Sequence, residues 1–162
     1  MLVSNTSTLV LLAKIGCLKD FIEITPIIEI PEQVKKEALF EERSYYSKLI
    51  QKLIDDKKIK VVPIKTAKIL IALSQFRLDE GEAAAYALFS LQRHSAILTD
   101  DGELIKLCKL EKIPFICAMA VVIRLFENKK LSKDEALSKL KDLHEIGRYS
   151  KELYEHFKSE VK

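Results

Sequence analysis

The chain has 162 residues, 48% of them hydrophobic and 31% charged, with a net charge of +3 and a pI near 8.6. That balance fits one globular domain with a substantial core and excludes a disordered, collagen-like or coiled-coil chain. The mild basicity permits nucleic-acid binding without requiring it. Three cysteines, Cys17, Cys108 and Cys117, are an odd number without zinc-type spacing. They read as reduced thiols of a cytoplasmic protein. No apolar run approaches the ~18 residues of a membrane span. The first residues lack a basic n-region and Lys14 interrupts the apolar stretch, so no signal peptide is expected.

In chain order, Leu2–Ser4 reads as a buried strand and Thr8–Gly16 as a helix ended by Gly16. Leu18–Ile22 is a short helix and Ile27–Ile30 an apolar, β-branched strand. Pro31 is expected at the first helical position of a helix reaching Glu42. Tyr46, Leu49, Ile50 and Leu53 carry helical spacing through Ser44–Asp55. Ile59–Val62 is a strand, and Thr66–Gln75 and Glu80–Arg93 are helices. Ala96–Thr99 is a strand, Glu103–Leu110 a helix and Pro114–Ile116 a short last strand. Ala118–Glu127 and Lys133–Leu143 are helices, and Ser150–Val161 is a polar, loosely attached one. Apolar strands alternating with amphipathic helices predict an α/β fold, a three-layer α/β/α sandwich with a mainly parallel central sheet. A crevice would then lie at the carboxyl ends of its strands.

Four segments carry candidate chemistry. Asn5-Thr6-Ser7 stands where the first strand passes into a helix. All three types satisfy free helix amides, and the same place suits a metal-site position with a supporting hydroxyl, Ser7. Asp79 and Glu82 form a capping-box variant; Glu82, beside the slim Ala83-Ala84-Ala85, also points from a helix start towards the crevice. Thr99-Asp100-Asp101-Gly102-Glu103 puts two adjacent carboxylates straight after an apolar strand. Their repulsion has a cost unless a cation or a helix terminus offsets it, although an N-cap with Glu103 at N3 also explains them. Glu37 sits at the edge of an apolar helix face, turned either inward or to solvent. His94, His144 and His156 have no ligand spacing and read as surface or boundary residues. Neither a Gly-rich phosphate loop, a Gly-x-Ser-x-Gly elbow nor a Cys-x-x-Cys pair is present.

Taken together, Val3-Ser4-Asn5-Thr6-Ser7-Thr8-Leu9, Ile30-Pro31-Glu32-Gln33-Val34-Lys35-Lys36-Glu37, Gly81-Glu82-Ala83-Ala84-Ala85 and Thr99-Asp100-Asp101 resemble the pattern of PIN domains. The closest likeness is to the short prokaryotic members related to VapC-type toxins. The resemblance spans 1–130, read as a PIN-like nuclease domain, with 131–162 a C-terminal helical extension of the same domain. It implies a four-cornered acidic crevice at Asn5, Glu37, Glu82 and Asp101, with Asp100 as a helper. Asn5, Asp100, Asp101 and Glu82 would ligate Mg²⁺ or Mn²⁺, and Ser7 would bond a metal water or ligand, supported by Thr6 and Thr99. The implied activity is metal-dependent hydrolysis of RNA phosphodiesters, as in the toxin half of a toxin–antitoxin pair. RNA and an antitoxin protein are the implied partners. A homodimer is also implied, with a face around Phe21, Phe40 and Tyr45.

Two positions depart from the family pattern. Asn5 stands where the family has Asp, and Thr8 where it usually has Pro. An amide oxygen can ligate but brings no charge, so Asn5 is expected to weaken or abolish activity. Only two asparagines occur in the chain, Asn5 and Asn128, which makes this amide an uncommon choice here. The alternative function is a non-catalytic module that binds RNA or a protein partner, helped by the Lys-rich stretch 129–141. A phospho-acceptor receiver is a third reading. It is weakened because the acid pair follows a late strand rather than the first.

Overall fold

The computed structural model describes residues 1–91 and 94–162. Its elements are β1 (Leu2–Ser4), α1 (Thr6–Lys14), α2 (Leu18–Ile24), β2 (Ile28–Pro31), α3 (Glu32–Ala38), α4 (Tyr45–Asp55), β3 (Ile59–Val62), α5 (Ala67–Ala72), α6 (Glu80–Leu91), β4 (Ala96–Leu98), α7 (Gly102–Glu111), β5 (Phe115–Ile116), α8 (Ala118–Glu127), α9 (Lys133–Ile146) and α10 (Lys151–Glu160). The strands make one parallel sheet in the order β3-β2-β1-β4-β5. Helices cover both faces, so the three-layer α/β/α architecture is the one the apolar strands predict.

Period-two alternation decides which layer each strand residue feeds. Leu2, Ile28, Ile30 and Leu98 face the larger core with Leu9, Leu12, Ile50, Val122 and Leu140. Val3 and Ile97 point the other way, onto Ala85, Leu88, Leu104 and Leu107. Strand order reverses at β1, which lies between β2 and β4. Ser4 pairs with Leu98, and the Asn5 amide donates to the Leu98 carbonyl at 3.0 Å. Register therefore sets Asn5 level with Thr99 at the switch point, where open α/β sheets hold their ligands.

Several boundaries differ from the expectation. Asn5 takes the N-cap position, so α1 starts at Thr6, two residues early. Pro31 belongs to β2 and is the N-cap of α3, with φ −65° and ψ 157°. Its ring-fixed φ suits an extended residue as well as a helical one. α3 stops at Ala38, and α5 is confined to Ala67–Ala72. The last two residues of the helix expected over Glu80–Arg93 lie outside the described residues.

Three readings of individual segments are corrected. Helix α10 is held rather than loose: it packs on α8 and α9, Tyr154 stacks on His144 at 4.3 Å, and Val161 is buried. A polar helix of this kind hides a few apolar anchors that composition averages away. His94 is no surface residue. Its side chain is buried and meets the buried Glu29 at 3.0 Å, a pairing that satisfies part of the desolvation cost of both. Phe21 is 4% exposed and cannot form a dimer face, whereas Phe40 at 83% and Tyr45 at 61% remain exposed. Among the described residues, no helix is long and apolar enough to cross a membrane.

Candidate functional site

Asn5 is 2% exposed and holds two strand ends together. Its Oδ1 accepts from the Ser7 hydroxyl at 2.9 Å, and its Nδ2 donates to Thr99 Oγ1 at 2.9 Å. Ser7 Oγ in turn accepts from the Asp100 amide at 3.1 Å, and Thr99 Oγ1 accepts from the Asp101 amide at 3.1 Å. Position 5 thus fixes, through two hydroxyls, the backbone that presents both acids. Thr99 receives two bonds, and the described residues offer its own hydroxyl proton no acceptor. A carboxylate at position 5 would supply that acceptor and leave the Ser7 bond unchanged.

The two acids after β4 do different work. Asp101 caps α7, accepting from the Leu104 amide at 2.8 Å, and it lines the crevice. Asp100 is turned inward. Its Oδ2 accepts from the Thr8 hydroxyl at 2.5 Å, its two oxygens share the Ala118 amide at 3.0 and 3.2 Å, and its Oδ1 accepts from the Tyr149 hydroxyl. A carboxylate offers about four lone-pair sites, and these donors fill them. Burial nevertheless holds the Asp100 carboxyl above its usual range, against the lowering effect of those donors. The same burial, with the Asp100 charge beside it, keeps Tyr149 protonated.

Glu37 and Glu82 approach from two helices. Glu37 Oε2 accepts from the Thr6 hydroxyl at 2.5 Å. Its carboxylate rests where a side chain on residue 81 would stand: a Cβ there would lie 2.5 Å from Oε1. Gly81 therefore lets Glu37 reach the start of α6. Burial and then the charges of Asp79 and Glu80 raise the Glu37 carboxyl, offset in part by the Thr6 and Gly81 bonds. Glu82 completes a reciprocal capping box, accepting from the Asp79 amide while its own amide donates to Asp79 Oδ1, both at 2.8 Å. It also faces Asp101 within hydrogen-bonding reach, and burial, with Asp101 and Asp79 alongside, pushes its carboxyl up to about 8.

That shift has a measurable consequence. The unfolded chain releases the Glu82 proton near 4.5, the folded chain near 8. Between those values the unfolded state binds fewer protons, so stability falls as pH rises across the window and levels off above it. Glu37 and Asp100, also raised, act in the same direction. Thermal unfolding in chelator should show Tm dropping from pH 5 to pH 8, with a shallower drop in Mg²⁺. A Tm that is flat in chelator would show that folding does not raise the Glu82 carboxyl.

Thr6, Ser7, Glu37, Asp100 and Asp101 line a crevice of about 790 Å³, whose apolar wall includes Val10, Leu11, Phe40, Ile105 and Ile146. Asn5 is buried, and neither it nor Glu82 belongs to that lining. As oriented, no three His, Cys, Asp or Glu side chains among the described residues converge into a ready metal cage. Glu37 is drawn to Thr6, and Asp100 to Tyr149. The donor set is still of the right kind. It is all oxygen, burial raises the Glu37 and Glu82 carboxyls, and the ion pairs among the described residues include none of its acids. A hard divalent cation suits such a set.

Thr8 and Tyr149 were not among the site residues expected from sequence. Thr8 could have been noticed, because a hydroxyl replaces a residue that has none. Tyr149 lies 49 residues from Asp100 in a segment without a motif. The thiols of Cys17, Cys108 and Cys117 are all pushed up by burial to about 11, which leaves them poor nucleophiles. No curated protein matches the chain. A family model described as a PIN domain matches residues 1–162.

Proposed function

Because this chain belongs to the PIN domain family, we propose that it is a divalent-metal-dependent endoribonuclease whose activity is held low by Asn5. PIN domains are nuclease-like modules that generally depend on divalent metal, and they commonly bind RNA and antitoxins. The observation that carries the reading is the Glu82–Asp101 pair: Glu82 in the first turn of α6 faces Asp101 at the N-cap of α7, with Glu37 on α3 reaching the start of α6. Asp101, Glu82 and Glu37 would hold Mg²⁺ or Mn²⁺, with the Asn5 carbonyl oxygen as a neutral fourth corner. The bound cation would supply an acidified water and charge stabilisation on the phosphodiester oxygens.

The chain's own residues do the rest. Thr6 steers Glu37, while Ser7 and Thr99 hold the backbone of Asp100 and Asp101. Val10 and Leu11, both partly buried, give one side of the crevice an apolar wall. Asp100, saturated by its donors, acts as a brace rather than as a ligand. A toxin role, with a small antitoxin protein as partner and a homodimer as the working form, extends the same proposal.

The test is cleavage of a single-stranded RNA of mixed sequence in Mn²⁺, with and without EDTA. Cleavage confined to the metal-containing sample is expected; cleavage that persists in excess EDTA would contradict the proposal. A second reading, a non-catalytic module that binds RNA, is favoured by one observation. The Asn5 amide is locked onto Thr99 and Ser7 and adds no charge. Binding that weakens steeply with salt, without turnover in any metal, would establish that second reading.

A further inference from the structure

The crevice has an electrostatic problem that its carboxylates cannot solve. Glu37, Glu41, Asp100 and Asp101 line it, and all would repel a phosphodiester. Among its lining residues one carries a fixed positive charge, Arg148. That side chain is exposed and forms neither an ion pair nor a hydrogen bond with the described residues. The lysines and arginines that are paired in this fold have their carboxylates elsewhere.

The backbone that carries Arg148 is fixed on both sides. Before it, Gly147 ends α9, its amide bonded to the Leu143 carbonyl at 2.8 Å. A Cβ on residue 147 would lie 2.8 Å from that carbonyl oxygen and would collide with the Tyr149 ring. After it, Tyr149 donates its hydroxyl to Asp100, and Ser150 caps α10, accepting from the Leu153 amide at 3.1 Å. Glycine, phenol and cap together hold a four-residue strap against the crevice. A guanidinium on a strap already ordered loses little further backbone freedom on binding, and its planar fork matches two phosphate oxygens.

We infer that Arg148 is the residue that grips a phosphate of the bound RNA strand beside the carboxylates, and that the Tyr149–Asp100 bond is the positioning contact that keeps it there. This rests on the RNA-directed reading of the same crevice. Asp100 then links two functions. Its amide belongs to the acidic strand end, and its carboxylate anchors the cationic strap.

The experiment is equilibrium binding of a fluorescein-labelled, non-cleavable 2′-O-methyl RNA oligonucleotide to the full chain in Mg²⁺, over a range of salt. Arg148→Ala is expected to weaken binding about tenfold and to lower the slope of log K against log salt by about 0.7, one phosphate contact on a single strand. Arg148→Lys should recover the slope but not the full affinity, because a point charge replaces the fork. Tyr149→Phe keeps every charge; it should weaken binding with the slope nearly unchanged. Arg124→Ala, on α8 and outside the crevice lining, should match the parent chain. Arg148→Ala binding with the parent's affinity and slope overturns the inference while leaving the RNA reading intact. Absence of RNA binding by the parent chain itself, with the fold confirmed by thermal unfolding, overturns both. An acidic peptide such as poly-glutamate binding through Arg148 in place of RNA does the same.

Discussion

Asn5→Asp is expected to bind Mg²⁺ about 100-fold more tightly than the parent chain, near 2.7 kcal/mol at about 1.4 kcal/mol per tenfold, and to cleave RNA where the parent does so slowly or not at all. A unit charge about 4 Å away contributes on the order of 4 kcal/mol at an effective dielectric near 20. Part of that is lost in desolvating the new carboxylate. The site is built to accept the change. Ser7 already donates to Oδ1, and Thr99 Oγ1, 2.9 Å from the amide nitrogen, can turn its hydroxyl to donate to a carboxylate oxygen there. Without metal the extra charge joins a crowded cluster, so the variant should melt below the parent in chelator and above it in Mg²⁺. Calorimetry and paired melts, run beside the cleavage assay, read all three effects. Unchanged Mg²⁺ affinity would mean that position 5 is no corner of a metal site.

Asp101→Asn and Asp100→Asn should separate two adjacent acids into two roles. At position 101 an asparagine still caps α7, since Asn is as good an N-cap as Asp. It also removes the charge beside Glu82. The folded protein should hold or gain stability at pH 8, yet lose Mg²⁺ binding and any metal-dependent cleavage. At position 100 the carboxylate accepts from Thr8, Tyr149 and, through both oxygens, Ala118. The hydroxyls can turn to meet an amide; the Ala118 N–H cannot. That mismatch costs about 1–3 kcal/mol, and Tm should fall by about 2–4 °C for each kcal/mol in a chain of this size. Mg²⁺ affinity should suffer far less than in Asp101→Asn. If the two variants lose Mg²⁺ binding equally, Asp100 is a ligand and not a brace.

The layers and the crevice were legible because their signals are local. Strands such as Ile28–Pro31 and Ala96–Leu98 are short apolar runs, and the residues that follow the strand ends are named by position alone. Asn5 and the acids after β4 are therefore marked by their place in the sequence. Contacts that depend on distant partners were not legible. Nothing about His94 predicts a buried bond to Glu29, 65 residues away. Tyr149 looks like one more aromatic between polar helices until Asp100 is seen beneath it. The split between Asp100 and Asp101 was hidden for the same reason. Adjacent residues on an extended backbone point to opposite sides, but which side holds donors is a tertiary fact. Pro31 failed differently: its fixed φ is shared by two conformations, and the register with β3, where it pairs with Val62, selects the extended one.

The spacing of the site's bonds along the chain sets when the site can exist. Asn5 meets Thr99 across 94 residues, Thr8 meets Asp100 across 92, and Tyr149 closes on Asp100 after 49 more. Such non-local closures form late in folding, because the intervening chain must be ordered first. During synthesis the first strand waits for the fourth, and the strap emerges later than both. A partly made chain thus carries Asn5 and Glu37 without Asp101 or Arg148. An enzyme that cuts RNA would gain from this order, since its own message and the ribosome reading it are the nearest RNA while the chain is unfinished.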